Sequence, residues 1–131
     1  LAAVNRNPAA WIYEGEKSPG RYQFRHRNGI EFEVCACPWS VGQPYPSGVT
    51  VTEIGVQRTC DMTEADAESE GLEWIDNGLG VYQWKGLGGE RGWHDYILDA
   101  FAEIWDSIHR RDINNRFERG PWAWVLKVRL S

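Results

Sequence analysis

The chain has 131 residues, 42% of them apolar and 25% charged, a balance that fits one core-forming domain and argues against wholesale disorder. No apolar run approaches the ~20 residues of a membrane-spanning helix, and Leu1–Asn5 has neither the basic start nor the apolar stretch of a signal peptide. The net charge of −5 divides into +1 over residues 1–48, −10 over 49–106 and +4 over 107–131, which excludes a uniformly basic nucleic-acid binder but leaves a basic face near residue 120.

Along the chain, the first strong signal is the run 21–37. Tyr22, Phe24 and His26 alternate with Gln23, Arg25 and Arg27; after Asn28-Gly29, Ile30, Phe32 and Val34 alternate with Glu31, Glu33 and Cys35. This pattern predicts a β-hairpin whose two turn residues both have positive φ, with Arg25 and Arg27 pairing across to Glu31 and Glu33. Cys35-x-Cys37 lacks the Cys-x₂₋₄-Cys spacing of structural zinc, and its two thiols are assigned to opposite strand faces, so no metal is expected. Three cysteines build no disulfide framework, which fits a reducing, cytoplasmic compartment.

Residues 38–48, with three prolines and two glycines, read as a loop. Val49–Arg58 reads as a strand whose alternation breaks near Glu53-Ile54-Gly55, predicting a β-bulge. A short helix follows within Asp61–Gly71, capped by Thr63 and stopped at Gly71. Its carboxylates Glu64, Asp66, Glu68 and Glu70 are candidates for a partner-binding face or a merely solvated one.

Six of the fourteen glycines fall in 76–92, predicting a flexible loop or loose hairpin. In Lys85-Gly-Leu-Gly-Gly-Glu-Arg-Gly92 the lysine precedes the glycines instead of following them, so a phosphate loop is not indicated. A long helix is predicted from Trp93 to Arg111, with Trp93, Ile97, Ala100, Phe101, Ile104 and Ile108 as its apolar stripe. Pro121 introduces a last strand bearing Trp122, Trp124, Leu126 and Val128 on one face and Lys127 and Arg129 on the other. The whole predicts an α+β fold or a small barrel. Eight tryptophans are too many for a domain this small to bury, so some are expected to line a groove or an interface.

The segments Val49–Arg58, Asp61–Gly71, Phe101-x-x-x-Trp105-Asp-Ser-Ile108 and Pro121-Trp-Ala-Trp-Val-Leu-Lys-Val128 together resemble the ASCH domain, in its bacteriophage and prophage variety. The resemblance covers about residues 35–130 when Cys37-Pro38 and Gly42-Gln43-Pro44 are matched to that family's "CPyGqpGD" stretch. It implies one domain over 1–131, with 1–34 a variable hairpin region, folded as a PUA-like small mixed or antiparallel β-barrel with flanking helices. It also implies binding to RNA or a modified nucleoside. Exposed tryptophans, Trp84 included, would then stack bases, while Lys85, Arg110, Arg111, Arg116, Arg119, Lys127 and Arg129 would meet phosphates. Some relatives are nucleoside amidohydrolases or ribonucleases. The family's "G-x-K-T-x-T-x-R" helix and "rLWVRE" strand have no counterpart here, so no catalytic residue is assigned and no cofactor is expected. A phage-encoded protein that docks on a host protein through its acidic face is the alternative of a different class.

Overall fold

The computed structural model describes every residue except 2, 77, 89–91 and 131. Among the described residues, nine strands form three separate three-stranded antiparallel sheets, accompanied by two α-helices and short 3₁₀ turns. The α+β class stands, and no sheet among the described residues closes into a barrel. The chain divides into two compact units, residues 1–58 with 121–131 and residues 59–120.

In the first unit, β1 (Trp11–Ser18), β2 (Arg21–His26) and β3 (Phe32–Ala36) form one sheet in that order. The second sheet holds β4 (Pro44–Tyr45), β5 (Val49–Arg58) and β9 (Trp122–Leu130), in the order β4-β5-β9. Their shared core is aromatic. Tyr22 and Phe24 are buried with Val4 and Cys35, and Trp122 and Trp124 pack on them. Trp122 meets Phe24 edge-on with ring centroids 5.3 Å apart, and Trp124 meets Tyr22 edge-on at 5.0 Å, the geometry that aligns ring edges with π faces. Asn5 closes one end of this core. Its Nδ2 donates to the Trp122 carbonyl at 3.2 Å and its Oδ1 accepts from the Trp122 amide at 2.8 Å.

The predicted hairpin exists as β2–β3, but three details differ. Asn28 does not have positive φ, so Asn28-Gly29 is not a two-residue turn; instead Asn28 Oδ1 accepts from the amides of Ile30 and Glu31. Arg25 pairs with Glu14 of β1 rather than across to β3, and Arg27 donates to the Ala9 carbonyl. Strand β3 is also turned over: Cys35 is 6% exposed, whereas Phe32 and Val34 are 53% and 40% exposed. Its pairing sets Cys35 opposite the buried Tyr22, and that contact fixes the inward face. Cys37 is not pointed away from Cys35. Residues two apart share a strand face, and Cys37 packs at the edge of the same cluster.

The bulge in β5 is present at Thr52, where the register shifts between Val51 and Glu53, a little before the predicted break. Thr52 Oγ1 donates to the Lys127 carbonyl at 3.1 Å, giving the extra residue a partner across the ladder. Strand β1 carries its own irregularity between Tyr13 and Gly15, where Gly15 takes φ 111°, a conformation glycine alone adopts without strain.

In the second unit, α1 (Glu64–Ser69) begins at Thr63 with a capping box: Thr63 Oγ1 accepts from the Asp66 amide and Asp66 Oδ2 accepts from the Thr63 amide. The helix α2 covers Ile97–Ile108, shorter than predicted. Trp93 and His94 belong instead to β8, which pairs with β7 (Tyr82–Lys85), itself paired with β6 (Trp74–Asp76). The glycine-rich region is thus partly sheet, its loop joining β7 to β8. On α2, Ile97 and Ala100 are buried, whereas Ile108, predicted for the apolar stripe, is exposed at the helix end. The two ends of this unit are joined: Thr59, itself buried, donates from Oγ1 to the Phe117 carbonyl at 2.9 Å. No helix among the described residues is long and apolar enough to cross a membrane.

Candidate functional site

A concavity lies within the first unit. Its floor begins at the turn between β1 and β2, Ser18-Pro19-Gly20-Arg21. Proline sets φ for the first central residue of this turn, and Gly20 supplies φ 76° at the second. Glu16 Oε1 accepts from the Gly20 amide at 3.1 Å, and the Gly20 carbonyl accepts from the Cys37 amide at 3.1 Å. The segment after β3 is held away from the sheet by two further bonds. The Ser40 amide donates to the Tyr45 hydroxyl at 3.0 Å, and the Gly42 amide donates to the Val51 carbonyl at 2.8 Å.

These constraints leave a cleft of about 470 Å³ lined by Glu16, Tyr22, Cys37, Trp39, Glu53 and neighbouring residues. Trp39 stands at it with 39% of its surface exposed. Tyr22 is 3% exposed, yet its hydroxyl has no hydrogen-bond partner among the described residues. Burial, with Glu16, Cys37 and Tyr13 adding to it, pushes the Tyr22 phenol above its ordinary value, so it is a neutral donor. No lysine, arginine or histidine lines the cleft among the described residues. Such a site offers a stacking surface, one hydroxyl on a buried residue and two carboxylate acceptors.

The second unit holds a polar cluster of its own. His94 Nε2 lies 3.0 Å from Glu103 Oε2, and Glu103 Oε1 accepts from the Leu87 amide at 2.7 Å. A Cβ on Gly86 would come within 2.6 Å of that carboxylate, so a larger residue there would push on the far end of the Glu103 side chain. Among the described residues no group of three or more His, Cys, Asp or Glu side chains could hold a metal.

The residues singled out in the sequence fall in separate places. Arg110 and Arg111 are exposed beyond α2, beside a shallow depression of about 580 Å³ that they line with Ser107, Ile108, His109 and Asp112. Arg110 Nε donates to the Ser107 carbonyl, covering an open helix end. Arg116 and Arg119 flank the 3₁₀ turn at Phe117–Arg119. Lys85 is engaged with Glu73 at 3.4 Å, and Trp84 is half-buried against Trp74. In the first unit, Lys127 pairs with Glu53 at 3.3 Å, while Arg129 is exposed on β9. Glu64, Glu68 and Glu70 are exposed on and beside α1, whereas Asp66 is committed to the cap.

Sequence reasoning did not single out the cleft residues. The Ser18-Pro19-Gly20-Arg21 turn was a readable signal for the β1–β2 hairpin, and Trp39 in a proline-rich loop was a readable signal for an exposed indole. The His94–Glu103 pair spans a strand and a helix and had no local signal. Compared with known family models, curated proteins and solved structures, the chain has no match.

Proposed function

We propose that the chain is an ASCH-like, PUA-like module that binds RNA by taking an unpaired or modified nucleoside into the Trp39 cleft. The observation that carries this reading is the half-exposed Trp39 indole beside the unpartnered Tyr22 hydroxyl. Splayed-out bases are recognised by aromatic stacking together with hydrogen bonds to their edges, and a stacked base contributes about 1–3 kcal/mol. Cys37, Trp39, Ser40 and Val41 line the cleft, and they lie within the part of the chain matched to the "CPyGqpGD" motif. Arg129, exposed on β9 of the same unit, is the side chain assigned here to a phosphate, and it would make RNA binding fall with added salt.

Titration of the full chain with nucleosides, and with labelled single-stranded RNA at two salt concentrations, tests the proposal. Millimolar or tighter nucleoside binding is expected, together with RNA affinity that weakens at high salt. Trp39→Ala is expected to weaken both by about thirtyfold, the middle of the stacking range. Absence of nucleoside binding, or equal affinity in Trp39→Ala, overturns it.

A further inference from the structure

The cleft carries a charge that stacking alone does not require. Resting on the nucleoside reading, we infer that the base it selects is cationic, a ring-alkylated base that is positively charged at neutral pH, and that a free 5′-monophosphate, more highly charged than a chain phosphodiester, is disfavoured there.

Glu16 comes from β1 and Glu53 from β5, so two different sheets each contribute a carboxylate to one small cleft. Other carboxylates of this chain have cations or imidazoles beside them: Glu14 has Arg25, Glu73 has Lys85 and Glu103 has His94. Glu16 has only the Gly20 amide as a hydrogen-bond partner, and no cation pairs with it among the described residues. Glu53 is met by Lys127, but that ammonium is itself 70% exposed and does not line the cleft. A ligand entering here therefore meets the Glu16 carboxylate, which no cation pairs among the described residues, beside the part-exposed Trp39 indole. Both favour a cation, the carboxylate by direct attraction and the indole through its quadrupole. A phosphate meets like charge instead.

Tyr22 supplies the second, independent feature. The Tyr22 residue is 3% exposed, and its hydroxyl, unpartnered among the described residues at the cleft wall, donates as a neutral phenol. A bare alkylammonium has no acceptor for it. An alkylated pyrimidine has one in its ring carbonyl, and the ribose hydroxyls offer others. The cleft thus asks for a planar cation that also accepts a hydrogen bond.

The experiment compares four probes on the full chain at pH 7: cytidine, 5-methylcytidine, 3-methylcytidine and cytidine 5′-monophosphate. The first three separate the added methyl group from the added charge. 3-Methylcytidine is expected to bind about tenfold tighter than cytidine, from one weak ion pair and one exposed cation–π contact. 5-Methylcytidine is expected to stay within about twofold of cytidine, and the monophosphate to bind more weakly than either. Glu16→Gln, which keeps a carbonyl for the Gly20 amide, is expected to shrink the preference to about threefold. Glu53→Gln serves as the second variant from the other sheet, with a reduction in the same direction. If 3-methylcytidine binds no tighter than 5-methylcytidine, or the phosphate strengthens binding, the charge inference is overturned while the nucleoside reading survives. If none of the four binds, both fall together.

Discussion

Replacing Asn5 is expected to loosen the aromatic core from its end. The Asn5 amide holds both backbone groups of Trp122, donating at 3.2 Å and accepting at 2.8 Å, and the residue is 8% exposed. Each such bond contributes about 1 kcal/mol net, and a buried amide left without a partner costs more. Asn5→Ala is therefore expected to cost about 2–3 kcal/mol, which for a chain of this size lowers Tm by roughly 6–15 °C. Asn5→Asp is nearly isosteric and keeps the acceptor for the Trp122 amide, but it opposes a carboxylate to the Trp122 carbonyl, so it is expected to cost about as much. Urea titration followed by the Trp122 indole resonance gives the free energy, and hydrogen exchange at the Trp122 amide localises it. A cost below about 0.5 kcal/mol for Asn5→Ala, or unchanged protection of the Trp122 amide, refutes the reasoning.

Thr63→Ala removes the cap of α1 and is expected to cost about 1 kcal/mol, seen as lost protection at the Asp66 amide; unaltered protection there counts against the capping box. Gly86→Ala pushes on the far end of the flexible Glu103 side chain, so it is expected to release the Leu87 amide for a cost of only about 1 kcal/mol, with amide exchange and a thermal melt as the readouts. Burial pushes the Cys35 thiol above its ordinary value, so at alkaline pH the folded chain keeps a proton that the unfolded chain releases. That stabilisation is complete below about pH 8.5 and is lost as pH rises through the folded value. Cys35→Ala is expected to flatten the fall in Tm between pH 7 and 10, and a fall as steep as that of the parent rules out this origin.

Local chemistry made much of the fold legible. Thr63 and Gly71 bracket a helix because side-chain capping and a left-handed stop are written in single residues. The β2–β3 hairpin and the bulge in β5 were legible because alternation and its interruption are sequence properties. What failed depended on partners far along the chain. The inward face of β3 was read from Ile30, Phe32 and Val34, yet Cys35 faces inward because Tyr22 stands opposite it. Trp93 fits the helical period by coincidence, and pairing with Lys85 makes it strand. The cleft was illegible for the same reason: Glu16, Tyr22, Trp39 and Glu53 sit on four segments that only the two sheets bring together.

The interruption of the first unit by residues 59–120 has a consequence for the order of folding. Arg58 faces Trp122 in the β5–β9 ladder, so during synthesis β5 waits for its neighbour until the whole intervening segment has been made. Closing so long a flexible loop is entropically costly, and pairing distant in sequence folds slowly. The Thr59–Phe117 bond changes the route, because it ties the two ends of the intervening segment inside that segment's own structure. Once 59–120 has folded, Arg58 and Pro121 emerge from neighbouring points, and β9 has a short distance to search before it meets β5. The bond between a threonine hydroxyl and a carbonyl far along the chain thus acts as a folding chaperone in cis, and slower formation of the β5–β9 ladder in Thr59→Val is its kinetic signature.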